Sequence, residues 1–90
     1  MADKVFISFQ NNAEAQPIIE AIMDDNPDAE LSETPGMVKI DCPQRLVVNQ
    51  STVSEKMGRD FDLQEIHINL ISLAGNIDED DDAFVLMWNT

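Results

Sequence analysis

Lys4-Val5-Phe6-Ile7-Ser8-Phe9 alternates, with Val5, Ile7 and Phe9 on one side of an extended chain. A period of two predicts a first strand. The pattern then changes: Ala15, Ile18, Ile19 and Ile22 recur at i, i+3, i+4 and i+7, the spacing of one apolar helix face. Asn11, with Glu14 three residues later, has the form of a capping box opening that helix. Pro17 lacks an N–H, so the helix either bends there or begins regularly near it. Asp25-Asn26-Pro27 stops it, because the residue before a proline is disfavoured in helical geometry. Two strands follow, over residues 29–33 and 37–42, around Thr34-Pro35-Gly36. Pro before Gly predicts a type II turn, with Gly36 at the position that needs positive φ. Val38, Ile40 and Cys42 share one face of the second strand.

After Cys42 the order of elements starts again. Residues 45–49 predict a strand, with Leu46 and Val48 alternating against Val47. Thr52-Val53-Ser54-Glu55 has capping-box form for a short helix, and Gly58 is placed to end it. Asp62-Leu63-Gln64-Glu65 has the form to cap one further turn. Residues 66–73 predict a strand with Ile66, Ile68 and Leu70 on one side, Ile71 and Leu73 on the other. Residues 83–89 predict the last strand and bring Phe84, Leu86 and Trp88 together. The stretch between them, with five consecutive acids over 78–82, joins these strands as a turn. The expectation is one α+β domain over 1–90, with two βαββ units at approximately 3–42 and 45–89. Its sheet is mostly antiparallel and carries two or three helices. The duplication is one of order, with little repetition of residues.

Composition narrows what such a domain can do. Ninety residues make a single domain with a modest core, and 43% apolar residues are enough to fold it. Eighteen acids against five bases give a net charge of −13. That charge argues against nucleic-acid phosphates and against anionic membrane surfaces. It suits a basic protein partner, whose encounter complementary charge accelerates. Cys42 is the one cysteine, so no internal disulfide forms, and a reducing cytoplasm is the expected compartment. No secretory or transit segment and no apolar run of membrane-spanning length is read.

The residue types that carry chemistry are sparse. A metal centre needs several ligands at set spacing, whereas His67 and Cys42 stand alone in different halves. His67 reads as a structural or surface residue, and Cys42 as a buried, inert thiol. Gly36, Gly58 and Gly75 form no phosphate loop, and neither a GxSxG elbow nor a histidine metalloprotease motif occurs. No catalytic, cofactor-binding or metal residue is assigned. The acid run tests one sharper idea. Asp78, Asp80 and Asp82 fall at positions 1, 3 and 5 of an EF-hand calcium loop. Ala83 then replaces the required Gly, and Asn89 stands where a bidentate Glu belongs. The run reads instead as a solubilising turn that also discourages pairing at a strand edge. An acidic, cation-responsive binding module remains the alternative function.

Several strands carry apolar residues on both faces: Phe6 opposes Ile7, Val85 and Met87 oppose Leu86, and Ile71 and Leu73 oppose Leu70. Either some form a docking patch, or the sheet curls and its helices cover the rest. The five methionines read as core gap-fillers.

Four stretches in order now carry a specific resemblance. They are Val5-Phe6-Ile7-Ser8-Phe9-Gln10, Ile19-Glu20-Ala21-Ile22 with Asp25-Asn26-Pro27, Gly58-Arg59-Asp60-Phe61-Asp62-Leu63-Gln64-Glu65, and residues 71–82 with Phe84, Leu86 and Trp88. Together they resemble the small regulatory (effector or coupling) proteins of bacterial multicomponent di-iron monooxygenases, the phenol hydroxylase type most closely. The match spans nearly the whole chain. Ala74 departs from it, standing where a Gly is expected before Gly75. The resemblance implies a protein with no cofactor and no catalysis of its own. It implies docking on the hydroxylase that holds a carboxylate-bridged di-iron centre, so that oxygen activation is coupled to hydroxylation of phenols to catechols. It implies electrons supplied from NADH through a flavin and iron-sulfur reductase. By likeness to the methane-type relatives, the segment 69–76 would approach the hydroxylase. Ser72, Leu73, Gly75 and Asn76 are the docking residues this implies.

Overall fold

The computed structural model describes residues 4–88. Its seven strands form two sheets rather than one, and all five strand pairings among the described residues are antiparallel. The four-stranded sheet has the order β2 (Glu30–Thr34), β3 (Met37–Pro43), β1 (Lys4–Gln10), β5 (Leu70–Ala74). The three-stranded sheet has the order β4 (Arg45–Asn49), β7 (Ala83–Met87), β6 (Asn76–Glu79). The fold is α+β, with helices α1 (Gln16–Asp25), α2 (Gln50–Met57) and the single turn α3 (Ile66–Asn69).

Burial follows the alternation of the sequence. Val5, Ile7 and Phe9 of β1 are sealed in the core and stand opposite Cys42, Ile40 and Val38 of β3. Leu46 and Val48 of β4 stand opposite Leu86 and Phe84 of β7, all four fully buried. Ala15, Ile18, Ile19 and Ile22 add the apolar stripe of α1 and its approach. Pro17 lies in the first turn, where its missing N–H costs nothing, so the helix starts there rather than bending.

The helix caps differ from expectation in their residues. Asn12, not Asn11, supports the start of α1: its Oδ1 accepts from Ala15 N–H at 2.9 Å. Asn11 turns to β2 and donates to Glu33 and to the Thr34 carbonyl. At the other end Asn26 is buried, donates to the Ile22 and Val47 carbonyls, and accepts from Val47 N–H. One side chain thus closes α1 and pins it to β4. Helix α2 begins before Thr52, after Asn49, so the capping box at 52–55 is not formed. Gly58, at φ +76°, ends it as expected.

The β2–β3 turn is not type II, because Gly36 lacks positive φ. Gly36 N–H instead donates to the Thr34 carbonyl at 2.9 Å, an inverse γ-turn about Pro35.

The largest departures lie between residues 62 and 79. The capping box at Asp62 and Glu65 forms and starts a 3-10 turn over Leu63–Glu65. Helical geometry then continues through α3, so the strand expected over 66–73 begins at Leu70. Ile66 is buried while Ile68 is exposed, which a shared strand face would forbid. Strand β5 then leaves the second half to pair with β1. The acid run contributes β6, paired with β7, where a turn alone was expected. Trp88 follows β7 and donates from its indole N–H to the Lys4 carbonyl. Asn89, the end of the expected last strand, lies outside the described residues. No described helix is long and apolar enough to cross a membrane.

Candidate docking surface

Strands β5 and β6 meet at Gly75, and each is the outer strand of its own sheet. An outer strand presents unpaired backbone N–H and C=O groups along one side. Gly75 holds φ +133°, and a β-carbon on it would stand 2.9 Å from Val5 Cγ1 and 3.5 Å from Met87 N. Only glycine suits both the conformation and the space. The corner places Ala74 opposite Phe6 in one sheet and Asn76 opposite Met87 in the other.

Just before the corner the pairing slips. Ser72 pairs with Ser8, but Leu70 pairs with Phe9, which leaves Ile71 as the extra residue of a β-bulge. Ser8 is buried, its hydroxyl 2.7 Å from Ser72 Oγ and 3.2 Å from the Ser72 carbonyl, to which it donates. The bulge therefore has a fixed position, and Ile71 stays 48% exposed.

The four docking residues expected from sequence fall on this one corner, in two kinds. Ser72 and Asn76 are exposed. Leu73 stands opposite Ile7 and packs against the core, and Gly75 presses on Val5. Three further large apolar residues are exposed here or nearby: Ile71, which the two-faced pattern offers as part of a patch, and Ile68 (64% exposed) and Ile77 (49% exposed), which the sequence does not single out for docking. The apolar residues on both faces of β5 were the available signal for Ile71. Ile77 was hidden among acids. Elsewhere the two-faced pattern is largely covered, since Val85 and Met87 are half-buried and Lys39 sits 4.5 Å over the Phe6 ring.

The acids themselves make a hairpin. Asp78 and Glu79 belong to β6, and Asp80 closes the turn, with Oδ1 accepting from Asp82 N–H at 2.8 Å and Ala83 N–H at 2.9 Å. Those two N–H groups hold the Asp80 carboxyl below the usual carboxylate range. Gln50 N–H donates to the Asp82 carbonyl and ties the turn to α2. Asp78 and Asp80, positions 1 and 3 of the calcium-loop reading, are thus split between a strand and a turn. Among the described residues no three His, Cys, Asp or Glu side chains stand together as a metal site.

The isolated candidates have ordinary places. His67 is exposed on α3, edge-on to Phe84 with ring centroids 6.3 Å apart, and 3.8 Å from Glu79. Cys42 is buried, and burial, then the Asp28 charge, pushes its thiol up. Glu65 is held low by its bidentate partner Arg59 and by Asp62 N–H.

With this geometry in place, residues 3–87 match the MmoB/DmpM family model. The chain belongs to the MmoB/DmpM family. Within it, the chain is 44% identical over 88 residues to the stimulatory component DmpM of phenol 2-monooxygenase from Pseudomonas sp. (strain CF600), covering 98% of each. It superposes with TM-score 0.91, at 55% identity, on a chain of a solved phenol hydroxylase–regulatory protein complex, covering 96% of this chain and 99% of that one. A chain from a second such complex gives TM-score 0.87 at 50% identity, covering 94% and 99%. Soluble methane monooxygenase regulatory protein B shares the MmoB/DmpM fold at TM-score 0.77 and 20% identity, covering 99% of this chain and 67% of its own.

Proposed function

We propose that this chain is the non-catalytic regulatory component of a multicomponent phenol monooxygenase, and that it acts by binding the di-iron hydroxylase. The observation that carries this is the 44% identity across 98% of both chains to a stimulatory component of phenol 2-monooxygenase. Superposition on chains of phenol hydroxylase–regulatory protein complexes supports the same partner. The chemistry agrees, because the Asp80 carboxylate is engaged by its own backbone and the one thiol is buried.

Regulation without catalysis requires differential binding. A component that bound two hydroxylase conformations equally would shift neither, so its surface fits one of them better. The outer edges of β5 and β6 suit this task. Ser72 and Asn76 supply polar groups, Ile71 and Ile77 supply apolar area, and Gly75 with Leu73 fixes the angle between the two edges. Electrons reach the hydroxylase from NADH through a flavin and iron-sulfur reductase, and the complex works in the cytoplasm. Calorimetric titration of this chain into the purified hydroxylase tests the reading. A saturable complex is expected, and no heat of binding with an active hydroxylase contradicts it.

A further inference from the structure

A groove of about 210 Å³ runs between the start of α1, the end of α2 and α3, away from the β5–β6 corner. Its apolar lining is Ala13, Pro17, Ile18, Met57 and Ile68. Ile68 is 64% exposed, so the groove offers open apolar area beside the buried Ile18.

One polar group also opens here. Ala15 N–H can only donate, so the Asn12 atom 2.9 Å away is Oδ1. Asn12 Nδ2 then donates to Asn69, and the Asn69 atom it meets at 2.9 Å is Oδ1. Asn69 Nδ2 is left over as a donor, on a side chain only 6% exposed. No described residue accepts from it. Every described side-chain N or O sealed from solvent has a partner, so this amide is not sealed. The open space that Asn69 lines is the groove.

The charged side chains that line it balance, Lys56 and Arg59 against Glu14 and Glu65. Arg59 pairs with Glu65 at 2.8 Å, and Lys56 with Asp24, outside the lining, at 2.6 Å. In a chain of net charge −13 this is a locally balanced place. It suits a neutral segment with an apolar side chain and a hydrogen-bond acceptor. A second copy of the chain is disfavoured as occupant by repulsion between two bodies of that charge. Ile68 and Asn69 directly precede β5, so the groove adjoins the N-terminal end of that strand.

We propose that this groove is a second docking subsite for the hydroxylase, filled by one apolar side chain whose neighbouring backbone carbonyl accepts from Asn69 Nδ2. The proposal rests on the reading of the chain as a hydroxylase-binding component. It adds a contact on the helical side, apart from the strand edges.

The test titrates the purified hydroxylase with the wild-type chain, Ile68→Asp, Asn69→Asp and, as an equally simple loss of exposed apolar area, Leu31→Asp on β2. Ile68→Asp removes an exposed group, and Asn69→Asp keeps an acceptor for Asn12 while removing the free donor. Thermal unfolding checks that each variant folds. Weakening of about tenfold or more is expected for Ile68→Asp and Asn69→Asp, with Leu31→Asp within about twofold of wild type. Folded Ile68→Asp and Asn69→Asp chains that bind like wild type overturn the subsite and leave the regulatory reading standing. Wild type failing to bind overturns that reading itself. A dimer of the free chain that Ile68→Asp dissociates, with hydroxylase affinity unchanged, assigns the groove to a second copy and also overturns the proposal.

Discussion

Gly75 lies so near Val5 that a β-carbon on it would stand 2.9 Å from Val5 Cγ1. The contact joins the corner between β5 and β6 to the most buried strand of the fold. The two outer edges therefore keep a set angle, and the corner is a rigid feature rather than a loose loop. Gly75→Ala meets both the strain of φ +133° and the clash, and loss of about 1–3 kcal/mol is expected. Urea unfolding measures it. An unchanged midpoint would mean that the corner relaxes freely.

Asn26→Ala removes the side chain that bridges α1 and β4. Its loss leaves the Val47 N–H and carbonyl without their side-chain partner, while the Ile22 carbonyl keeps only the residue-26 backbone N–H of its two donors. A cost of at least about 2 kcal/mol in chemical denaturation is expected, since stranded buried groups lose solvation as well as the bond. Asn11→Ala, by contrast, removes two exposed contacts and one long, part-buried bond from Gln16, and should cost less than about 1 kcal/mol.

Asp80 gives the acid turn a pH signature. Its folded carboxyl lies below the ordinary value of 3.8, because Asp82 and Ala83 N–H groups favour the charged form. Its contribution is therefore present above that ordinary value and fades as pH falls through the lowered one. The melting-temperature difference between wild type and Asp80→Ala should be constant near neutrality and shrink in strong acid. Asp80→Asn keeps an oxygen acceptor and should lie between the two. A difference that grows on acidification contradicts the assignment.

Ile71 sits at the bulge with half its surface open, so Ile71→Asp should leave the fold intact. On the hydroxylase, a weakening of about tenfold is expected from calorimetry if β5 is a docking edge. Equal affinity for folded Ile71→Asp and wild type would remove β5 from the interface.

Much of this fold was legible because burial imposes a period. Val5, Ile7 and Phe9, then Leu46 and Val48, show the alternation of half-buried strands, and Ile18, Ile19 and Ile22 the stripe of a helix. The failures also have physical causes. Residues 66–73 carry a strand-like alternation, yet the Asp62–Glu65 cap starts helical geometry that runs to Asn69. Strand β6 has no inward apolar series, since it is an exposed edge, so Asp78 and Glu79 read as turn. Two sheets rather than one follow from β5 choosing β1, a partner more than sixty residues away that no local pattern names. The corner proposed for docking was located through resemblance. What the residues alone offered was Ile71 and Leu73 facing away from Leu70, which left a patch and a covered sheet equally open.

The most direct test of the regulatory role is steady-state phenol hydroxylation by the purified hydroxylase and its reductase, measured while this chain is added. Little product without the chain is expected, with a rise that saturates near one chain per hydroxylase active site. A rate that stays the same at every addition would contradict it.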